Sequence, residues 1–573
     1  MNAVGDGSPS RPRLRPGVAV TPLRDGLHLR GRGAAVTIEG SRALPRLWQL
    51  LAERLGETPP VAADPEPAVE AALATVAARL REHDLLVDHP EGTQLPLWAG
   101  AVAADPLAVT RALAAARPVL TTADPTDPLT RACAEALTAA GTAPARTATD
   151  PTLPPGLVIA AVGEGTTAVV AGTRPGGGYV AALTDPERVR EQATALTARL
   201  RRGRESERAS GAGESMASGA VALAARLRVD GGEEASGAGG SVLAGLLGAA
   251  AAQRLVCAVA GLPDPGEAVD DPRLPAGRPA VLIARERPPG AGYHPWVAGP
   301  GKPGAAPADL GQALHRVAAL GDEWLGVLDA PSAGGLPQLP VALVSCATPG
   351  GTLLAGAPRT DLARLAAACR AAELELAAEG TAVEAVVGAD PAHAYGRALR
   401  RSARTALREP AGPPRAEHLD HPQTAYWLSA LTRSLGRAPE LTLSRFVGTD
   451  VWWAEAEGAR AIEATPADAL AFAALTALAR RTAEAHGPAP AHRTAPSGAL
   501  APLAATGLRP AAWADAGHTD RWLVELAQRE GELQAALRKP ADPWTEPEAA
   551  PGSPVAAALA GCGFTVLVPG GAR

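Results

Sequence analysis

Three short runs of alternating apolar and polar residues open the chain, at 18–23, 27–30 and 35–39, and they predict three β-strands. Asp25-Gly26 and Gly31-Arg32-Gly33 separate them, and glycine's access to positive φ makes both breaks hairpin turns. Leu44, Leu47, Trp48, Leu51 and Leu55 then recur at three- and four-residue steps, as do Val69, Leu73, Val76 and Leu80 over 68–82. Two amphipathic helices follow from that spacing. Ser41 is placed to cap the first, and Pro59-Pro60 with Asp64-Pro65 divides the pair. The second is expected to end in His83-Asp84-Leu85-Leu86-Val87. This order predicts a β3α3 winged-helix domain over 11–92, preceded by a disordered tail at 1–10. Val36 and Ile38 face its core, while Ala35, Thr37 and Glu39 lie on the opposite face. The third strand is then a sheet edge beside the last helix, open to an extended peptide through main-chain hydrogen bonds.

Further along, strand-like runs at 118–121, 157–162, 179–183 and 280–284 alternate with helical patterns at 129–140 and 186–201. Such alternation predicts an α/β domain with a parallel or mixed sheet, over about 98–320. Two Ser/Gly-rich stretches, 206–220 and 231–241, read as mobile surface loops, and the apolar helix at 242–262 after them as a core or interface element. A third region, 321–573, contains a long helix at 360–379 and a helical stretch at 391–407. The class is α/β, an α+β multidomain protein.

Composition and charge narrow the picture. A chain of 573 residues, 46% of them hydrophobic, supports several cores. Five scattered cysteines (133, 257, 346, 369, 562) with no CxxC argue against a disulfide framework and a structural zinc. No apolar segment marks the start, and the run at 241–252 falls short of the roughly 20 residues that span a bilayer. A cytoplasmic protein without membrane partner is expected. Nine arginines against four acids between residues 11 and 60 make that part basic in a chain of net charge −6. DNA or an acidic peptide fits such a face. The exposed side of the second helix, with Glu70, Arg79, Arg81 and Glu82, is mixed in charge, unlike a groove-reading helix.

Candidate chemistry is sparse. A phosphate-binding turn after the first α/β strand needs glycines and free N–H donors, but the chain has Asp124-Pro125-Thr126-Asp127-Pro128 there. Gly163-Glu164-Gly165-Thr166-Thr167-Ala168 fits GxGxxA nominally, yet the following helix is weak and no acidic partner lies about twenty residues on. A loop without nucleotide is the preferred reading. Glu375 and Glu379 share a helix face while Glu373 points elsewhere, which suits a solvated helix end better than a metal site. His418 and His421 lack a third ligand and read as a helix start, and the 293–296 loop with Tyr293 and Trp296 as an aromatic anchor.

The residues of 13–23, 25–31 and 80–86, with the Leu/Trp-rich helix between them, resemble the leader-peptide recognition domain of azole-forming peptide pathways. The resemblance is to the ocin-ThiF-like leader peptide-binding proteins of thiopeptide and related thiazole/oxazole-modified peptide clusters. It implies a degenerate ThiF-like middle domain and a degenerate YcaO-like C-terminal region, whose closing proline-rich segment is replaced here by the ending 566–573. It also implies that a precursor leader docks as an added strand on Ala34, Ala35, Val36, Thr37, Ile38 and Glu39, near Arg32 and against Ala72, Thr75 and Arg79. The implied partners are that peptide, a separate YcaO cyclodehydratase, an azoline dehydrogenase and a second copy of the chain. No catalytic residue, cofactor, metal or nucleic acid is expected. An ATP-using enzyme, adenylating or cyclodehydrating, stands as the alternative, and a winged-helix DNA-binding regulator as a third reading.

Overall fold

The computed structural model describes residues 10–31, 33–56, 66–90, 95–162, 167–214, 236–267, 270–275, 277–278, 280–299, 301–382, 384–485, 490–508, 519–538, 544–545 and 553–570. Its folded parts mix helices with several sheets. Two compact units divide the chain: Met1–Arg190, Asp230–Ala268 and Leu282–Gly292 form the first, and Glu191–Val229, Val269–Val281 and Tyr293–Arg573 the second.

The first unit opens with β1 (Ser10–Leu14), then the meander β2 (Ala19–Leu23), β3 (Gly26–Arg30) and β4 (Ala35–Glu39). The strand order of the meander is β2-β3-β4, antiparallel throughout. Helices α1 (Leu44–Arg54) and α2 (Pro67–Glu82) cover one face, closing a core of Leu27, Leu29, Val36, Leu51, Leu73 and Leu80. Ser41 lies two residues ahead of the actual N-cap, Ala43, and its Oγ accepts from the Ala43 N–H at 3.1 Å.

The third helix of the expected β3α3 unit is replaced among the described residues by a strand. Asp84 takes a positive φ of 54°, turning the chain out of α2, and β5 (Leu86–Pro90) pairs antiparallel with β1. Ser10 thus lies in a strand, while residues 1–9 of the expected tail fall outside the described residues. Arg15 fixes this ribbon. Its buried guanidinium donates to the Asp84 carbonyl (2.9 Å) and carboxylate (2.6 Å), and to the carbonyls of Gly100 (2.9 Å) and Ala103 (2.7 Å).

Helices α3 (Leu97–Val102) and α4 (Pro106–Ala115) lead to β6 (Val119–Thr122), α5 (Pro128–Ala139), β7 (Arg146–Thr149), β8 (Leu157–Val162), β9 (Thr167–Arg174) and β10 (Gly177–Val180). After α6 (Val189–Glu214) and α7 (Ser236–Val259) come β11 (Val281–Glu286) and β12 (Pro289–His294). The sheet order is β12-β11-β10-β9-β8-β6-β7, and β6 with β7 is a parallel pair in an otherwise largely antiparallel sheet.

Residues 206–214 and 236–241, expected in loops, continue α6 and α7 as helix; the segment 215–235 between them is outside the described residues. On α7, Gly248 lets the helix approach α5 so closely that an added Cβ would lie 2.7 Å from the Ala132 Cβ. Within α7, Val242–Val259 is long and apolar enough by length and composition to cross a bilayer, and half of it is buried inside the protein.

The second unit is built on α8 (Leu310–Leu320), the hairpin β13 (Ala342–Thr348) and β14 (Gly351–Ala357), α9 (Thr360–Ala378), β15 (Val386–Gly388) and α10 (Pro391–Ser402). Next come β16 (Arg408–Pro410), α11 (Ala416–Leu419), α12 (Pro422–Leu435), the strands β17 (Leu441–Phe446), β18 (Trp452–Ala456) and β19 (Ala459–Glu463), and α13 (Pro466–Ala485). The chain continues through β20 (His492–Thr494), α14 (Ala501–Ala505), α15 (Thr519–Leu537), β21 (Trp544–Thr545), α16 (Pro554–Gly561) and β22 (Thr565–Pro569). Small side chains let α9 and α13 sink into the core: Ala367, Ala372, Ala469 and Ala473 are all inaccessible.

Candidate functional site

The outer edge of β4 is set by hydrogen-bond phase. The Gly31 N–H donates to the Ala34 carbonyl at 2.8 Å, and the Gly40 N–H to the Asp25 carbonyl at 3.1 Å. Bonded pairs alternate along an antiparallel ladder. With Leu29 opposite Val36 and Leu27 opposite Ile38, Val36 and Ile38 therefore exchange main-chain bonds with β3. Ala35, Thr37 and Glu39 turn their N–H and C=O groups to the other side. β4 has β3 as its single sheet partner among the described residues, so that side is an open edge.

Side chains divide the same way. Val36 is buried and Ile38 half-buried, while Ala35, Thr37 and Glu39 are exposed. Thr37 Oγ1 meets His28 Nδ1 at 2.9 Å across the outer face. On α2, the buried Leu73, Val76 and Leu80 share the core with Val36, whereas Thr75 and Arg79 are exposed and Ala72 half-buried. Thr75 Oγ1 donates to the Ala71 carbonyl at 2.9 Å and Arg79 pairs with Glu82 at 2.5 Å, so both polar groups are satisfied on their own helix. Arg32 lies outside the described residues, and Ala34 is half-buried in the turn before β4.

Both turns considered for nucleotide are filled or bypassed. Asp127 caps α5, accepting from the Leu129 N–H at 2.8 Å, and so puts a carboxylate where a phosphate would sit. Hydrogen bonds from Thr126, its hydroxyl first, hold the Asp124 carboxyl below its ordinary value. Residues 163–166 of the GxGxxA match are outside the described residues, but β8 and β9 on either side pair antiparallel. The element after the match is a strand, whereas a dinucleotide fingerprint opens a helix.

Other candidates find structural partners. His421 is the N-cap position of α12, and His418 lies in α11. Among the described residues no group of three or more His, Cys, Asp or Glu could hold a metal ion. His294 Nδ1 meets the buried Asp322 at 3.1 Å, and Trp296 is buried in the loop that follows. Burial pushes the thiols of Cys133, Cys346, Cys369 and Cys562 up to about 12, which keeps them protonated and poorly nucleophilic.

Glu373 departs from its expected setting. Rather than pointing away at a solvated helix end, it is buried, bonded at 2.8 Å to both Arg370 and Arg397, and accepts from the Val387 N–H at 3.1 Å. Glu375 is half-buried, and burial followed by the neighbouring Glu379 holds its carboxyl above the ordinary value.

Glu373 borders a cavity of about 570 Å³ in the second unit, lined by eight arginines. Sequence reading missed it. The available signal was the recurrence of Arg397, Arg400, Arg401 and Arg404 at helical steps, which lays a basic stripe along α10 and the 3-10 turn (Ala403–Thr405) that follows it. Within that stripe Arg400 is buried between two carboxylates, Glu463 and Glu530, each at 2.7 Å. One guanidinium cannot neutralise two buried acids. Burial raises the Glu463 carboxyl to about 7 against the opposing pull of Arg400, with Glu530 adding to the rise.

The folded protein therefore keeps a proton on Glu463 between the unfolded carboxylate range and about pH 7 that the unfolded chain releases. Stability from this group is full at the acid end and falls as pH rises through 7. The loss is up to about 3 kcal/mol. Thermal melts of the wild type and Glu463→Gln between pH 5 and 8 should diverge progressively from about pH 5 to 7 and run parallel above that, with the variant the less pH-dependent.

Two solved structures resemble the chain over most of its length. A heterocyclase in complex with substrate and cofactor aligns at a TM-score of 0.45 and 11% identity, covering 97% of this chain and 94% of that one. The heterocyclase TruD aligns at a TM-score of 0.41 and 12% identity, covering 98% and 94%. No protein-family model matches the sequence, and no curated protein matches it.

Proposed function

We propose that this protein is a non-catalytic substrate-delivery component of azoline-forming peptide biosynthesis. It binds the leader of a ribosomally made precursor and presents the core peptide to a separate ATP-dependent YcaO cyclodehydratase. The observation that carries the reading is the open side of β4, where Ala35, Thr37 and Glu39 direct main-chain donors and acceptors away from the sheet. An extended peptide pairing there gains several main-chain bonds, each worth about 1 kcal/mol net. The exposed Arg24 and Arg30 nearby favour an acidic segment. Holding leader and enzyme together raises the concentration of the core peptide at the active site.

Thr37→Pro separates strand addition from simple misfolding. Proline there removes an outward N–H and leaves the β3–β4 bonds intact, because those belong to Val36 and Ile38. A fluorescent peptide matching the leader of the precursor encoded beside this gene is expected to bind the wild type, with affinity falling about tenfold or more in the folded variant. Equal binding by both would reject the β4 edge as the dock. Absence of binding to either would reject leader recognition altogether.

A further inference from the structure

We propose that the arginine-lined cavity of the second unit binds a small polyphosphate, gripped by guanidinium groups without a divalent cation. The site is independent of the peptide-docking reading above. Charge is the first argument. Five of the eight lining arginines meet carboxylates: Arg370 and Arg397 share Glu373, Arg400 holds Glu463 and Glu530, Arg460 meets Glu455 at 3.2 Å and Arg493 meets Glu484 at 3.3 Å. Eight guanidiniums against five carboxylates leave three positive charges over. They reside on Arg401 and Arg480, bonded to the backbone carbonyls of Ala385 and Glu457, and on Arg404.

Arg404 is the sharpest of the three. No acid bonds it among the described residues. Its side chain is exposed at the rim of the cavity, and partial desolvation, then the like charges of Arg401, Arg460 and Arg370, lower its pKa from the ordinary arginine value. Arg370 and Arg460 are answered by Glu373 and Glu455, but Arg401 and Arg404 have no carboxylate partner among the described residues, and an anion set between these two turns their repulsion into attraction. Arginine presents a planar fork of donors that matches phosphate oxygens two at a time, so the shape of the groups agrees with their charge.

Size and lining restrict the occupant further. A volume of about 570 Å³ suits a small molecule. Leu354, Ile462 and Phe472 give the cavity an apolar wall beside the arginines, where an organic group attached to the phosphates would pack. With no metal-holding cluster of acids among the described residues, neutralising the phosphate charge falls to the guanidiniums themselves.

The test is calorimetric titration of the full-length protein in EDTA with pyrophosphate, tripolyphosphate, ADP and ATP, with sulfate for comparison. Saturable binding of at least one polyphosphate, weakened about tenfold or more by Arg404→Gln and unchanged by Arg521→Gln elsewhere on the unit, is the expected result. Arg404→Lys keeps the charge without the fork and should fall between. If Arg404→Gln melts early, Arg401→Gln carries the same comparison. Tighter binding of the nucleotides would assign the apolar wall to a nucleoside, and equal binding of tripolyphosphate would assign the site to the phosphate chain alone; either supports the proposal. Absence of saturable binding, binding seen with magnesium alone, or binding indifferent to Arg401 and Arg404 would overturn it.

Discussion

Arg400→Met is expected to destabilise the second unit by about 3–5 kcal/mol, the usual penalty for stranding a buried charge. The reason lies in what the substitution leaves behind. Arg400 donates from Nη1 and Nη2 to Glu530 at 2.8 and 2.7 Å, from Nη2 to Glu463 at 2.7 Å, and from Nε to the Ile462 carbonyl at 3.1 Å. All three charged groups are buried. Methionine matches the stem in size but supplies no donor, so two carboxyl groups would face each other in a dry interior, each left either charged without a partner or forced to take up a proton. Combining Arg400→Met with Glu463→Gln should recover part of the loss, since one of the two acids left without its arginine is then gone. Urea denaturation of the two variants checks both statements, and a loss below about 1 kcal/mol for the single variant would mean the acids are protonated at neutral pH.

Gly388→Ala is expected to have the next largest effect, about 3 kcal/mol, for a purely steric reason. A Cβ on Gly388 would lie 2.2 Å from the Ala394 nitrogen and 2.5 Å from its Cα. These are backbone atoms, so no side-chain rotation relieves the contact, and either β15 or the first turn of α10 must move. Because α10 carries Arg397, Arg400 and Arg401, the same substitution should weaken any anion bound in the cavity while leaving leader binding untouched. Parallel melting curves and polyphosphate titrations would reveal whether stability and anion affinity fall together.

Local pattern made some elements readable and left others hidden. The strand at 157–162 has its expected bounds, and the helix at 360–379 differs from its expected span by one residue, because each is a single apolar pattern closed by turn residues. Pairing over distance was not readable in the same way. Leu86 and Val87 looked like a helix end because nothing near them announces β1, about seventy residues earlier. The strand 167–174 was overlooked since Gly172 and Thr173 break its apolar run, although an added Cβ on Gly172 would touch the Tyr179 ring, the reason glycine stands there. The arginine cavity draws on segments from 354 to 497, so its convergence is a property of the tertiary fold. The edge strand was accessible to reasoning because a meander declares its own edges, but the direction of its N–H groups required the phase of the ladder.

Arg15 bears on how the amino-terminal region proposed to bind the leader is to be cut out for study. Its guanidinium reaches past the ribbon of β1 and β5 to carbonyls at Gly100 and Ala103, so the amino-terminal fold borrows its last fastening from α3. A fragment ending at Pro90 would keep every strand of the meander and still leave that fastening without its acceptors. Spectroscopic work on an isolated piece is therefore better begun at or before Ser10 and carried through Ala115, the end of α4.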